Sequence, residues 1–188
     1  LPETVNGQKV YAWEDYDNGE LKLTKPESIS HYYKGGGSFQ ELYPIVKAES
    51  WLQSKHNWYY QKQGQLVQNA WVKDNGNWYF MNDKGVMFNQ TWLYQGDSWY
   101  AFKSSGAMIS ANWLYDNGSW YYLKDSGSMA TGWLKDGGTW YYLNKSGSMA
   151  TGWVKDNGFW YYLASSGKML RNTYTPDGYY VDGSGAWK

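Results

Sequence analysis

Residues 131–150 read TGWLKDGGTWYYLNKSGSMA: Trp133 and Trp140 stand seven residues apart, Tyr141 and Tyr142 follow, and the segment closes on Gly147 and Met149. Asp136, Gly137 and Gly138 lie between the tryptophans. Glycine tolerates the positive φ of a tight hairpin turn, so Trp-turn-Trp predicts a β-hairpin. Side chains alternate across a strand, which places Trp140 and Tyr142 on one face and Tyr141 and Leu143 on the other. Both faces are apolar. An isolated two-stranded hairpin is marginal in water, so each such unit must bury its faces against neighbours.

The pattern is a lattice. Trp51, Trp71, Trp92, Trp113, Trp133 and Trp153 recur at intervals of 20 or 21, and Trp58, Trp78, Trp99, Trp120, Trp140 and Trp160 each follow seven residues behind. Turn residues fill the gaps as DNG at 74–76, 116–118 and 156–158, and Gly64, Gly85, Gly106, Gly127, Gly147 and Gly167 mark the bends between units. The expected fold is all-β, a solenoid of stacked β-hairpins built from repeats of about 20 residues.

Composition agrees. Aromatic residues make up 21% of the 188, with 14 Trp, 20 Tyr and 22 Gly, so rings take over the packing that aliphatic side chains usually supply. Net charge is zero and no basic run occurs, which argues against a nucleic-acid partner. No apolar stretch is long enough for a membrane span. Cysteine is absent, which removes disulfides, thiolate metal sites and a cysteine nucleophile. The start at Leu1 is read as a removed export signal or a trimmed chain; LPETV at 1–5 lacks the Gly of a sorting signal and lies at the wrong end.

Two regions depart from the regular pattern. From about residue 171, Tyr174 takes the first Trp position, GYYV at 178–181 replaces WYYL, and Trp187 stands at the Met position, as expected of a terminal cap. Residues 1–50 fit the lattice poorly. NGQKVY at 6–11 and SHYYKGGG at 30–37 read as degenerate repeats with an insertion near 34–48, or as a small region of unknown role, ahead of a repeat module at 51–188.

Packing accounts for Tyr141, Leu143 and their equivalents, but a core seldom requires Trp twice per unit. Trp faces attract quaternary ammonium groups through the ring quadrupole, at about 0.5 to 2 kcal/mol per contact. A row of weak cages would suit a polymer that carries many such groups. GWLKDGGTWYYLNKSGSMAT and GWVKDNGFWYYLASSGKM resemble the repeats of the choline-binding modules of Gram-positive surface proteins and murein hydrolases. The resemblance covers residues 51 to about 188.

That resemblance implies cages between consecutive repeats that hold the phosphocholine of teichoic and lipoteichoic acids. Each cage would use both Trp of one hairpin, a Met or Leu from the connection, and the second Tyr of the next hairpin. Transferred to this sequence, the quartets are Trp92, Trp99, Met108 and Tyr122; Trp113, Trp120, Met129 and Tyr142; Trp133, Trp140, Met149 and Tyr162; and Trp153, Trp160, Met169 and Tyr180. Two earlier ones depart from the pattern: Trp51, Trp58 and Leu66 meet Phe80, while Trp71, Trp78 and Met87 meet Ala101, which removes a wall.

No catalytic set is evident. His31 and His56 lack metal-ligand spacing, Glu14, Asp15 and Asp17 read as a solvated acidic loop, and Gly35–Gly37 lack the Lys and helix of a phosphate loop. The turn aspartates Asp74, Asp116, Asp136 and Asp156 read as turn formers. The expectation is a non-enzymatic extracellular protein on the bacterial cell wall, without cofactor or metal. It would act by anchoring, by modulating choline-dependent murein hydrolases, or as an adhesin with a host partner; a homodimer through its terminal rings is open. The alternative is a glucan-type carbohydrate-binding module.

Overall fold

The computed structural model describes residues 4–17, 20–25 and 43–187, and in these the regular structure is strand. His31, the SHYYKGGG stretch and Gly35–Gly37 lie outside the described residues. Two compact units are present: Leu1–Thr91 with Phe102–Met108, and Trp92–Ala101 with Ile109–Lys188.

The first unit begins with a hairpin of Thr4–Val5 and Gln8–Lys9. Next comes a three-stranded sheet with Ala12–Asp17 between Glu20–Thr24 and Tyr43–Ile45. The acidic stretch is thus strand: Glu14 pairs with Leu23 and Tyr43, and Asp15 with Lys22. Burial pushes the Glu14 carboxyl above its usual range. Strands Glu49–Ser54, Asn57–Lys62 and Gln65–Leu66 form a second sheet, followed by the hairpin Ala70–Asp74 and Asn77–Met81. Ala12, Leu21, Ile45, Leu52 and Tyr59 make one core cluster of this unit, and Tyr60, Val72, Met81 and Met87 another.

The second unit is a series of hairpins: Trp92–Gln95 with Ser98–Ala101, Asn112–Asp116 with Ser119–Leu123, Gly132–Asp136 with Thr139–Leu143, and Gly152–Asp156 with Phe159–Leu163. Asn157 and Gly158 take φ of 48° and 88°, the left-handed conformations that a two-residue hairpin turn demands. The last hairpin continues into a five-stranded sheet through Ala186–Trp187, Tyr180–Val181 and Thr173–Tyr174.

Each connection sews one hairpin to its predecessor. After Leu143 the chain turns, with the Gly147 N–H on the Asn144 carbonyl. Met149 then bridges Leu143 and donates its N–H at 2.7 Å to the carbonyl of Trp120, one hairpin back. Met129 on Trp99 and Met169 on Trp140 repeat this bond. Leu123, Leu143, Leu163 and Val181 are buried at the equivalent point of successive second strands, so a column of aliphatic side chains supports the aromatic faces.

Candidate functional site

Strand register assigns the rings. In the hairpin that opened the sequence reading, Trp133 faces Tyr142 across the ladder and Lys135 faces Trp140, so these four share one face; Leu134 and Tyr141 share the other. The indoles of Trp133 and Trp140 stand perpendicular, 6.2 Å apart at 90°. Tyr161, from the next hairpin, reaches back edge-on to Trp133 at 4.8 Å. With Met169 and Ser184 these rings line a cavity of about 280 Å³, near the lower end of small-ligand pockets.

A carboxylate completes the arrangement. Trp133 Nε1 donates to Asp156 Oδ2 at 3.2 Å, an acceptor in the turn of the following hairpin. Indole N–H is a donor only, so this bond satisfies it, fixes the ring's azimuth and sets negative charge beside the cage. The parts recur along the chain: Trp51 donates to Asp74, Trp92 to Asp116, Trp113 to Asp136 and Trp153 to Asp177. Tyr79 meets Trp51 at 4.8 Å, Tyr121 meets Trp92 at 5.2 Å and Tyr141 meets Trp113 at 4.9 Å.

The last site is built differently. Trp153 and Trp160 are again perpendicular at 6.4 Å, but Tyr179 and Trp187 supply the remaining walls, with ring centroids 5.8 and 6.1 Å from Trp153. Asp177 lines this cavity of about 330 Å³ directly. Hydrogen bonds from Thr175 and Trp153 hold its carboxyl below the usual range, so it is an anion at neutral pH.

Apolar cages walled by perpendicular indoles, with an anion alongside, suit a compact organic cation that has no N–H to donate. Comparison with known proteins agrees with that chemistry. A model described as "Choline-binding repeat" matches residues 115–146 and 130–174, and one described as "Putative cell wall binding repeat" matches 69–87 and 90–108. Choline binding protein F of Streptococcus pneumoniae, solved in the presence of a peptidoglycan analogue, is 38% identical at a TM-score of 0.67 over 93% of this chain and 57% of its own. The same protein in complex with ipratropium is 34% identical at a TM-score of 0.64, over 97% of this chain and 50% of its own. The choline binding domain of Spr1274 from Streptococcus pneumoniae is 44% identical over 43% of this chain and 95% of its own, at a TM-score of 0.40.

The chain belongs to the choline-binding repeat family. It spans 50–57% of the length of the choline-binding protein F chains that it matches. Comparison with curated protein sequences finds no match.

In these choline-binding repeats the structure groups the side chains differently from the sequence expectation. Around Trp133 and Trp140 the expected walls were Met149 and Tyr162; the observed ones are Met169 and Tyr161. Pleat parity is the reason. Tyr162 is the cross-strand partner of Trp153 and packs on it at 5.2 Å, so it shares its own hairpin's tryptophan face and cannot look back. Tyr142 and Tyr122 likewise lie beside Trp133 and Trp113 of their own hairpins, at 5.1 and 5.3 Å. Tyr180, expected to close Trp153 and Trp160, pairs instead with Tyr174, 5.2 Å away.

The methionines shift by one repeat. Met129 donates its N–H to the Trp99 carbonyl and Met149 to that of Trp120, each one hairpin back, because the connection folds back before it moves on. Met108 lies in the first unit, where its N–H donates to Trp78, whereas Trp92, Trp99 and Tyr122 belong to the second. Met87 donates its N–H to the Trp58 carbonyl and packs in the cluster of Tyr60, Val72 and Met81 against Trp51. Leu66, expected beside Trp51, packs on the Ala12 and Leu21 cluster, and Phe80 packs on Trp71 at 5.2 Å. Trp71 also stacks on Phe102 at 5.8 Å; Ala101 is buried with Ile109 and Leu123 in the second unit.

The back-facing tyrosines Tyr79, Tyr121, Tyr141, Tyr161 and Tyr179 lie outside the expected quartets, and the turn aspartates hold indole N–H groups besides forming turns. The alternation of the second strand already separated Tyr161 from Tyr162. The Trp-to-Asp spacing of 23 or 24 residues is equally regular in the sequence. Burial, with Asp136 and Asp125 nearby, pushes the Tyr122 hydroxyl up and keeps it neutral. Among the described residues there is no group of three or more His, Cys, Asp or Glu able to hold a metal ion, and no helix long and apolar enough to cross a membrane.

Proposed function

We propose that the chain is a non-enzymatic wall-binding module whose seams between consecutive hairpins of the second unit each hold a choline headgroup, presented as phosphocholine on teichoic and lipoteichoic acids at the outside of the bacterial cell. The observation that carries this is the Trp133, Trp140, Tyr161 and Met169 cavity beside Asp156. Rings on several sides attract a quaternary ammonium, the thioether fills the remaining side without a hydrogen-bond demand, and the carboxylate adds long-range attraction. At about 0.5 to 2 kcal/mol per ring, one site binds on the order of millimolar. Several sites on one polymer raise this by about two to four orders of magnitude.

Titration with free choline tests the reading. Tryptophan fluorescence is expected to respond in the millimolar range, and the protein to be retained on a quaternary-amine resin and released by choline. Absence of both effects refutes it; glycan binding that choline does not compete would point to a carbohydrate ligand. On this reading the module covers wall choline and thereby restrains choline-dependent murein hydrolases. Hydrolase activity on choline-containing walls should fall in the presence of a molar excess of the protein.

A further inference from the structure

Two sites of the second unit share a back-facing tyrosine, a carboxylate on the indole N–H and a methionine bonded to the second tryptophan's carbonyl. The Trp113 site has Tyr141 at 4.9 Å, Asp136 on the indole N–H at 2.9 Å, and Met149 bonded to the Trp120 carbonyl. The Trp133 site has Tyr161 at 4.8 Å, Asp156 at 3.2 Å, and Met169 bonded to the Trp140 carbonyl. The residue directly across the ladder from the second tryptophan differs: Tyr115 faces Trp120, and Lys135 faces Trp140, whose indole stands perpendicular to Trp133 at 6.2 Å.

That residue shares the tryptophans' face and lies against the ring. The Tyr115 ring sits 5.1 Å from Trp120, tilted by 51°. Lys135 Nζ sits 5.8 Å from the Trp140 centroid. The alternatives repeat elsewhere: Tyr94 lies on Trp99 at 5.1 Å, whereas Lys73 and Lys155 place Nζ 5.5 and 5.7 Å from Trp78 and Trp160. An ammonium against an indole draws on the same ring quadrupole that a ligand cation needs, and it adds like-charge repulsion at the rim. A tyrosine does neither.

We propose that this cross-strand neighbour grades the sites, so that the Tyr115-flanked site at Trp113 binds an organic cation more tightly than the Lys135-flanked site at Trp133. The inference rests on the reading of these ring clusters as choline sites. It makes the cross-strand neighbours Lys135 and Tyr115 determinants of affinity. The expected gap is about two- to fivefold, the equivalent of one exposed cation–π contact, and it narrows as salt rises, because the repulsive part is screened.

The indole N–H groups allow each site to be read separately. Two-dimensional NMR of the full chain, titrated with choline chloride at constant ionic strength, follows the Trp113 and Trp133 Nε1–H signals. The Trp113 midpoint is expected to be the lower. Lys135→Met and Lys135→Tyr lower the Trp133 midpoint, Lys135→Arg leaves it in place, and Tyr115→Lys raises that of Trp113. Equal midpoints in the parent chain, or a Trp133 midpoint that Lys135→Met does not move, overturn the proposal. If no indole signal responds to choline at all, the proposed function fails with it; responsive but ungraded sites defeat the grading alone.

Discussion

Replacement of Tyr161 or Tyr162, neighbours in sequence, should impair different sites. Tyr161 looks back to Trp133 at 4.8 Å, whereas Tyr162 lies on Trp153 at 5.2 Å in its own hairpin. Tyr161→Leu keeps apolar bulk but removes the ring that closes the Trp133 cavity. The lost cation–π share, about 0.5 to 1 kcal/mol at a partly exposed site, corresponds to about a two- to fivefold weaker response at Trp133. The edge-to-face pair with Trp133 is lost as well, so stability should fall by about 0.5 to 1.5 kcal/mol. Tyr162→Leu should produce the same stability loss, yet move the choline midpoint at Trp153 and leave that at Trp133 in place. Indole-resolved NMR titration and thermal unfolding of the two variants provide both readings. If Tyr162→Leu weakened the Trp133 response while Tyr161→Leu did not, the parity argument would be wrong.

Two further outcomes follow from the same geometry. Gly147 has φ of 84°, and a Cβ there would run into the Met129 thioether, so Gly147→Ala should cost about 2 kcal/mol or more and also weaken the Trp92 site, on which Met129 closes. Thermal unfolding with choline titration at Trp92 checks it; an unaltered melting temperature would contradict the contact. Asp177, with a carboxyl held below its ordinary 3.8, contributes stability that is present above that value and lost as pH falls through the lower folded-state pKa. The Trp153 indole proton should therefore shift only below that range, and Asp177→Asn should abolish the acid transition; a midpoint at or above 3.8 would contradict the assignment.

The repeat made the fold legible. Trp133, the two-residue turn and Trp140 predict a hairpin from local chemistry alone, and the structure pairs Trp133 with Tyr142 and Lys135 with Trp140 in the register that follows. The pairing of Trp133 with Trp140 and of Trp153 with Trp160 was legible too, because both rings lie within one hairpin. What failed was the contact between hairpins. The resemblance suggested the second tyrosine, whereas alternation places that ring on the tryptophans' own face and leaves Tyr161 to look back. Met149 was assigned to its own unit because sequence order runs forward, although the connection reaches back to Trp120. The sheet around Ala12–Asp17 was not legible, since its strands carry no lattice tryptophan and its third member, Tyr43–Ile45, is remote in sequence.

The terminal hairpin holds Tyr179 against Trp153 but has Tyr174 in place of the leading tryptophan and no second tryptophan. It can finish a site and cannot start one. On the proposed reading, each site of the second unit is made by adjacency, so in-frame copying of one of its repeats adds one site ready-made, and its excision removes one rather than two, as the flanking faces meet in the same parity. Such a chain can change its valency by recombination alone. Its last hairpin resists relocation, since in the middle of the series it would interrupt the ladder.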